Sequence, residues 1–375
     1  MHRRLYFCPQ IKKMITAYHN GRIFTGDEIL ENSCVLTDGD MILEIIQPVD
    51  IPSNATLIDL KGTLLAPTLI DLQIYGGNGE MFGEYPSVKN LENTYHYCVS
   101  GGAGYFMPTV ATNADTIMYD AIQAVKDYCQ QGGKGVLGLH LEGPYLNVEK
   151  RGAHLKQFIK NEPSVREVKK LLEAGTDVIK MMTLAPEVVS DDIISLLQDY
   201  GVTISMGHTN ATYAQAKAAM GKGIHAATHL FNAMSPLGHR APGVVGAIFD
   251  DDKIVTSVVA DGHHVDFSVI GISKKILLER MFLITDAVTE NLNGLYSHRL
   301  DGDKYVIADG TLSGSALTMV QAVRNCVEKV GIPLEEALRM ASLYPARVMG
   351  VDKRLGKIEK GYEANFIHLD EELNC

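Results

Sequence analysis

From about residue 63 onward, short apolar runs alternate with longer segments whose apolar residues recur at helical spacing. Eight runs have the length and character of inner strands: 64–74 (LLAPTLIDLQI), 103–110, 135–142, 177–185, 202–208, 225–231, 253–261 and 281–287. Amphipathic stretches at 114–129, 164–175, 190–201 and 212–223 separate several of them. Most of these open on a Ser or Thr suited to capping and several close on Gly, so helices are predicted there. Eight strand-then-helix units in about 230 residues fit a closed (β/α)₈ TIM-like barrel better than an open doubly wound sheet, which remains the alternative.

The flanks read differently. Residues 14–62 and 355–370 are rich in β and turn signals, which suggests a small β-sandwich built from both termini. The expected organisation is therefore 14–62 as the first part of the sandwich, 63–345 as the barrel and 346–375 as the second part.

In a barrel of this kind the carboxyl ends of the strands build the active site. The first run ends with Asp71, Gln73 and Tyr75, the third with His140 and Glu142, and the fifth with His208. The sixth supplies His229 and Asn232, the seventh Asp261, His263 and His264, and the eighth Asp286. Glu142, His208 and His229 form a nitrogen and oxygen set that suits a divalent transition metal such as zinc or iron. A lone histidine is more often a satisfied core residue, but three such groups at matching strand ends favour metal ligation. Asp286 beside such a metal can act as general base and then general acid. His140, one step deeper than Glu142, reads as core-filling or as a support for a ligand.

Composition narrows the class. With 46% hydrophobic and 21% charged residues, the chain can bury a sizeable core. A net charge of −11 without a basic tract argues against nucleic acid or an anionic membrane surface as partner. The six cysteines are scattered with no C-x-x-C pair, as expected for reduced thiols in a cytoplasmic protein. No apolar run reaches transmembrane length. The basic start lacks a signal-peptide core, and residues 1–13 read as a tail ahead of Met14. No cysteine falls at a strand end to serve as nucleophile, and no glycine-rich phosphate loop is present.

GLHLEGPYLN (138–147) with KRGAH (150–154), SMGHTNATY (205–213), THLFNAMSPLGHRAPG (228–243), VADGHHVD (259–266), LITDA (283–287) and TLSGSALTM (311–319), in this order, resemble the N-acetylglucosamine-6-phosphate deacetylases of the amidohydrolase superfamily. The resemblance covers about residues 16–370. It implies Glu142, His208 and His229 as metal ligands and Asp286 as the general base and acid of amide hydrolysis. It implies substrate contacts from His154 and Ala153 near the acetamido group, and from Asn232 and Ala233 at the sugar phosphate. Arg240 and His264 are implied as phosphate contacts reaching in from a neighbouring subunit, hence a homodimer. His263 is expected at the surface, facing away from His264.

Many amidohydrolases carry His-x-His at the end of the first strand, which gives a second metal. Gln73 and Tyr75 stand in those places and are poor replacements for imidazoles. One divalent metal per subunit is therefore expected, zinc first, with iron, cobalt or manganese as alternatives. The galactosamine epimer and a non-catalytic sugar-phosphate binder remain as competing functions. A two-metal cyclic amidohydrolase is disfavoured.

Overall fold

The computed structural model describes residues 15–375, and the reading of residues 1–13 as a tail lies outside them. Eight strands form one parallel sheet in sequential order. They are β1 (Leu69–Ile74), β2 (Ala103–Ala111), β3 (Leu139–Glu142), β4 (Ile179–Leu184), β5 (Thr203–Met206), β6 (Ala226–Ala227), β7 (Val255–Val259) and β8 (Met281–Ile284). The sheet closes on itself just beyond β8. The Asp286 amide donates to the Gln73 carbonyl at 3.0 Å, and the Tyr75 amide to the Ala287 carbonyl at 2.9 Å. This closure decides for the barrel over the open sheet.

The predicted helices form at Asp115–Gln130, Val165–Ala174, Asp191–Asp199 and Tyr213–Gly221. Local chemistry explains two of their starts. The Ser164 hydroxyl accepts from the Glu167 amide, and Thr212 and Gln215 form a reciprocal capping box. Their apolar stripes pack on the strands in one continuous core that includes Leu171, Ile193, Leu197, Met182 and Met206.

Two features depart from the hydrophobic pattern. The run 64–74 is two strands, because the chain changes sheets at Thr68. Leu64–Pro67 pairs with Arg22–Phe24 and, antiparallel, with the C-terminal strand Phe366–Leu369. The Thr68 hydroxyl holds the switch by accepting from the Gly104 amide at 2.7 Å. The second departure is a three-stranded antiparallel sheet, Arg299–Asp301, Lys304–Val306 and Leu312–Ser315, inserted after β8. Its last strand returns to the barrel exit, where the Ser315 amide donates to the Asp286 carbonyl at 2.9 Å.

Chain from both ends builds the second body. One four-stranded sheet contains Met41–Ile46, Cys34–Asp38, Ile15–His19 and Thr56–Asp59. The other contains Phe366–Leu369, Leu64–Pro67, Arg22–Phe24 and Ile29–Leu30. Ile23, Val35, Ile42, Leu60, Leu65 and Ile358 form a core of their own. Among the described residues no helix is long and apolar enough to cross a membrane.

Candidate functional site

Glu142 is the last residue of β3, while His208, His229 and Asp286 each lie two residues beyond the end of β5, β6 and β8. Barrel closure therefore brings four separate strand exits to one point. The ligating atoms of Glu142, His208 and His229 lie within 4.8 Å of one another, all buried. His208, His229 and Asp286 have φ angles of 47°, 39° and 55°, in the left-handed region that side chains other than glycine avoid. Such backbone costs about 1–3 kcal/mol per residue, and strain of this kind clusters where side chains must be aimed.

Hydrogen bonds fix the protonation pattern of two histidines. The Lys150 carbonyl, 2.9 Å from His208 Nδ1, can only accept. The His208 proton therefore sits on Nδ1, and Nε2 turns a lone pair toward Glu142 Oε1 at 3.2 Å and His229 Nε2 at 3.1 Å. Burial keeps that ring neutral by pulling it down to about 4. A lone pair aimed at a carboxylate is an arrangement that a cation completes, so this donor set fits a divalent metal. His154 has the opposite tautomer. Its Nδ1 accepts from the Thr112 amide at 3.2 Å, which leaves Nε2–H to donate to Glu142 Oε2 at 3.0 Å.

Gln73 and Tyr75 complete the shell around Glu142. The Gln73 amide nitrogen lies 3.0 Å from Glu142 Oε1, 2.7 Å from Asp286 Oδ1 and 2.8 Å from the Tyr75 hydroxyl. The Tyr75 phenol donates to Glu142 Oε2. Burial and the Glu142 charge hold the phenol well above its ordinary range, so it keeps its proton. Burial, reinforced by the Glu142 charge, also raises the Asp286 carboxyl, although His229 opposes it. These groups open into a cleft.

The amidohydrolase family is matched over residues 64–374, most of the chain. This chain belongs to that family. Residues 17–65 match the NagA composite domain. The chain is 38% identical over 356 residues to the N-acetylglucosamine-6-phosphate deacetylase of Haemophilus influenzae, covering 92% of each chain. It is 34% identical to the N-acetylgalactosamine-6-phosphate deacetylase of Escherichia coli O157:H7, covering 89% of this chain and 90% of the relative. The crystal structure of the N-acetylglucosamine-6-phosphate deacetylase from Pasteurella multocida superposes with a TM-score of 0.91 at 39% identity, covering 96% of each chain.

Within the amidohydrolase barrel, the cleft is lined by Glu142, His208, His229 and Asp286, and also by Ala153, His154, Asn232, Ala233 and His264. Arg240 is not brought there; it is exposed, on the loop after Asn232 and Ala233. His264 lines the cleft of its own chain. Its Nδ1 lies 2.6 Å from Asp261 Oδ2 and its Nε2 3.8 Å from Asp286 Oδ2. A turn sets this position: Asp261 Oδ1 also accepts the amides of His263 and His264, at 2.9 and 2.8 Å. His263 is exposed and pairs with Asp303 at 2.8 Å.

His140 lies below the ligands, with Nδ1 3.1 Å from the Leu72 carbonyl and Nε2 2.8 Å from the Thr183 hydroxyl. Burial lowers it to about 4, so it packs as a neutral ring. Sequence reasoning missed Glu84, Asn113, Tyr296, His298 and Ser313, which also line the cleft. Tyr296 and His298 follow no strand of the barrel, and only the insertion after β8 places them. Their one sequence signal is a tyrosine and a histidine within a turn-rich stretch just ahead of TLSGSALTM.

Proposed function

We propose that this cleft hydrolyses the N-acetyl group of N-acetylglucosamine 6-phosphate, releasing glucosamine 6-phosphate and acetate. The observation that carries the reading is the convergence of Glu142, His208 and His229 beside Asp286, with His208 presenting a lone pair and His154 a proton. The three ligands hold one divalent metal, zinc first, with iron, cobalt or manganese as alternatives. Gln73 and Tyr75 leave no imidazole for a second ion. When bound, the metal polarises the acetyl carbonyl and acidifies the attacking water.

Asp286 takes the water proton and later delivers it to the leaving amine, a role suited to a carboxyl whose proton affinity burial has raised. His154 Nε2–H, which holds Glu142 Oε2 at 3.0 Å, turns to the carbonyl oxygen as negative charge develops there. His264, held by Asp261, steadies the far side of Asp286. Ala153, Asn232 and Ala233 border the sugar phosphate.

Arg240 supplies a forked donor to the phosphate of a neighbouring subunit's substrate, which makes the active form a homodimer. Its exposure outside its own cleft supports that arrangement. The buried free thiols of Cys34, Cys98 and Cys326 support a reducing, cytoplasmic setting.

The galactosamine epimer is the second reading, favoured by the 34% identity to the Escherichia coli galactosamine enzyme. Turnover of the two epimers by one preparation separates them. Preference for the glucosamine compound supports the first reading, and preference for the galactosamine compound replaces it.

A further inference from the structure

The reaction above uses the metal end of the cleft and leaves Tyr296, His298 and Ser313 without a task, although all three line it. His298 is 3% exposed and has three neighbours that fix it. Its backbone exchanges two hydrogen bonds with Asn291, both 2.9 Å. Its ring lies within 9° of parallel to that of Tyr296, with centroids 6.3 Å apart. Nδ1 is 3.0 Å from the Ser313 hydroxyl. Tyr296 is itself anchored, its phenol donating to the Thr112 carbonyl and accepting from the Leu155 amide at 3.3 Å.

Among the described residues, Ser313 is the hydrogen-bonding neighbour of the His298 ring. A ring so constrained, with Nδ1 committed to Ser313 and the residue lining the cleft, has the build of a recognition group. Burial pulls the ring down to about 4, so it is neutral near pH 7 and offers no charge to a phosphate. A neutral imidazole nitrogen can donate to or accept from a hydroxyl, according to the tautomer that Ser313 selects. Because the ring is immobile before substrate arrives, little side-chain freedom is lost on binding.

We propose that His298 Nε2, aimed by Ser313 and Tyr296, hydrogen-bonds one ring hydroxyl of the amino-sugar phosphate and so sets the hydroxyl pattern this cleft accepts. The inference rests on the deacetylase reading and deepens it, because nothing in the metal chemistry distinguishes one hydroxylated sugar from another. Sites that hydrogen-bond a substrate hydroxyl discriminate strongly against analogues that lack it, since the site's polar group is then left unpaired.

The test compares kcat and KM for N-acetylglucosamine 6-phosphate, its C4 epimer and its 1-, 3- and 4-deoxy analogues in the parent enzyme, His298→Phe, His298→Asn and Ser313→Ala. His298→Phe is expected to lower kcat/KM for the full substrate roughly ten- to hundredfold, chiefly through KM. The loss should vanish for the one deoxy analogue that lacks the contacted hydroxyl. His298→Asn, which restores a donor and an acceptor, should recover part of it. Ser313→Ala, which leaves the ring in place, should weaken discrimination against the same analogue and carries the test if His298→Phe does not fold. Equal losses on every analogue, or no loss on any, would overturn the proposal. Should the parent turn over nothing, the deacetylase reading falls, and the same comparison made on binding by calorimetry decides the hydroxyl contact separately.

Discussion

Tyr75→Phe removes one oxygen from the shell around Glu142 and nothing else. The phenol donates to Glu142 Oε2, and the Gln73 amide nitrogen, 2.8 Å away, donates to the phenol. A hydrogen bond to a carboxylate is worth about 1.5–3 kcal/mol, more than a neutral one, because the acceptor carries charge. The phenylalanine ring fills the same buried space, so cavity terms are small. The Gln73 nitrogen keeps Glu142 Oε1 at 3.0 Å and Asp286 Oδ1 at 2.7 Å as acceptors. Without the phenol, Glu142 Oε2 is held by the His154 Nε2–H alone, and the carboxylate is aimed less firmly at the point on which His208 and His229 converge. Divalent-metal affinity should fall roughly 10- to 100-fold, as is usual when a partner of a ligand is lost. Competition against a chromophoric chelator measures this without recourse to activity. An affinity within threefold of the parent would refute the claim that Tyr75 aims Glu142.

Three further outcomes are expected. Stripping the metal with a chelator should lower the melting temperature as well as abolish turnover, because an ion at 1,000 times its Kd stabilises the folded state by about 4 kcal/mol; an unchanged melting temperature would deny a resident ion. Gly143→Ala should cost several kcal/mol in denaturant unfolding and weaken metal binding, since Gly143 has φ +92° and an added Cβ would lie 2.1 Å from Thr112 Oγ1; a neutral result would mean the turn after Glu142 is not tight. Burial lifts Asp71 to about 7 from an ordinary 3.8, so the folded protein binds a proton that the unfolded chain releases. The stability this gives is complete below about pH 4 and lost as pH rises through 7. Between pH 5 and pH 8 the parent should lose up to about 3 kcal/mol relative to Asp71→Asn, and parallel stability curves for the two would refute the shift.

The barrel was legible because its units repeat: each strand run and each capped amphipathic helix carries its own local signal. Two errors have the same source, chain whose role is set by distant pairing. Leu64–Pro67 is as apolar as the strand that follows, and only its pairing with Arg22–Phe24 and Phe366–Leu369 moves it to the small body. The strands at 299–315 are short and partly exposed, so they carry little alternation to read.

The site shows the same division. Glu142, His208, His229 and Asp286 could be picked out because they end apolar runs. The tautomers of His154 and His208 depend on a backbone amide and a backbone carbonyl that no side-chain pattern reveals. The expectation that His263 faces away from His264 assumes extended chain, on which adjacent side chains point apart. The turn capped by Asp261 removes that premise.

Amine release from N-acetylglucosamine 6-phosphate by the metal-loaded protein, beside Asp286→Asn, tests the central claim most directly. Turnover in the parent, lost in the variant while sugar-phosphate binding and metal content persist, is the predicted result. Tight sugar-phosphate binding by the metal-loaded parent with no amine released would contradict it and leave a binding protein in place of an enzyme.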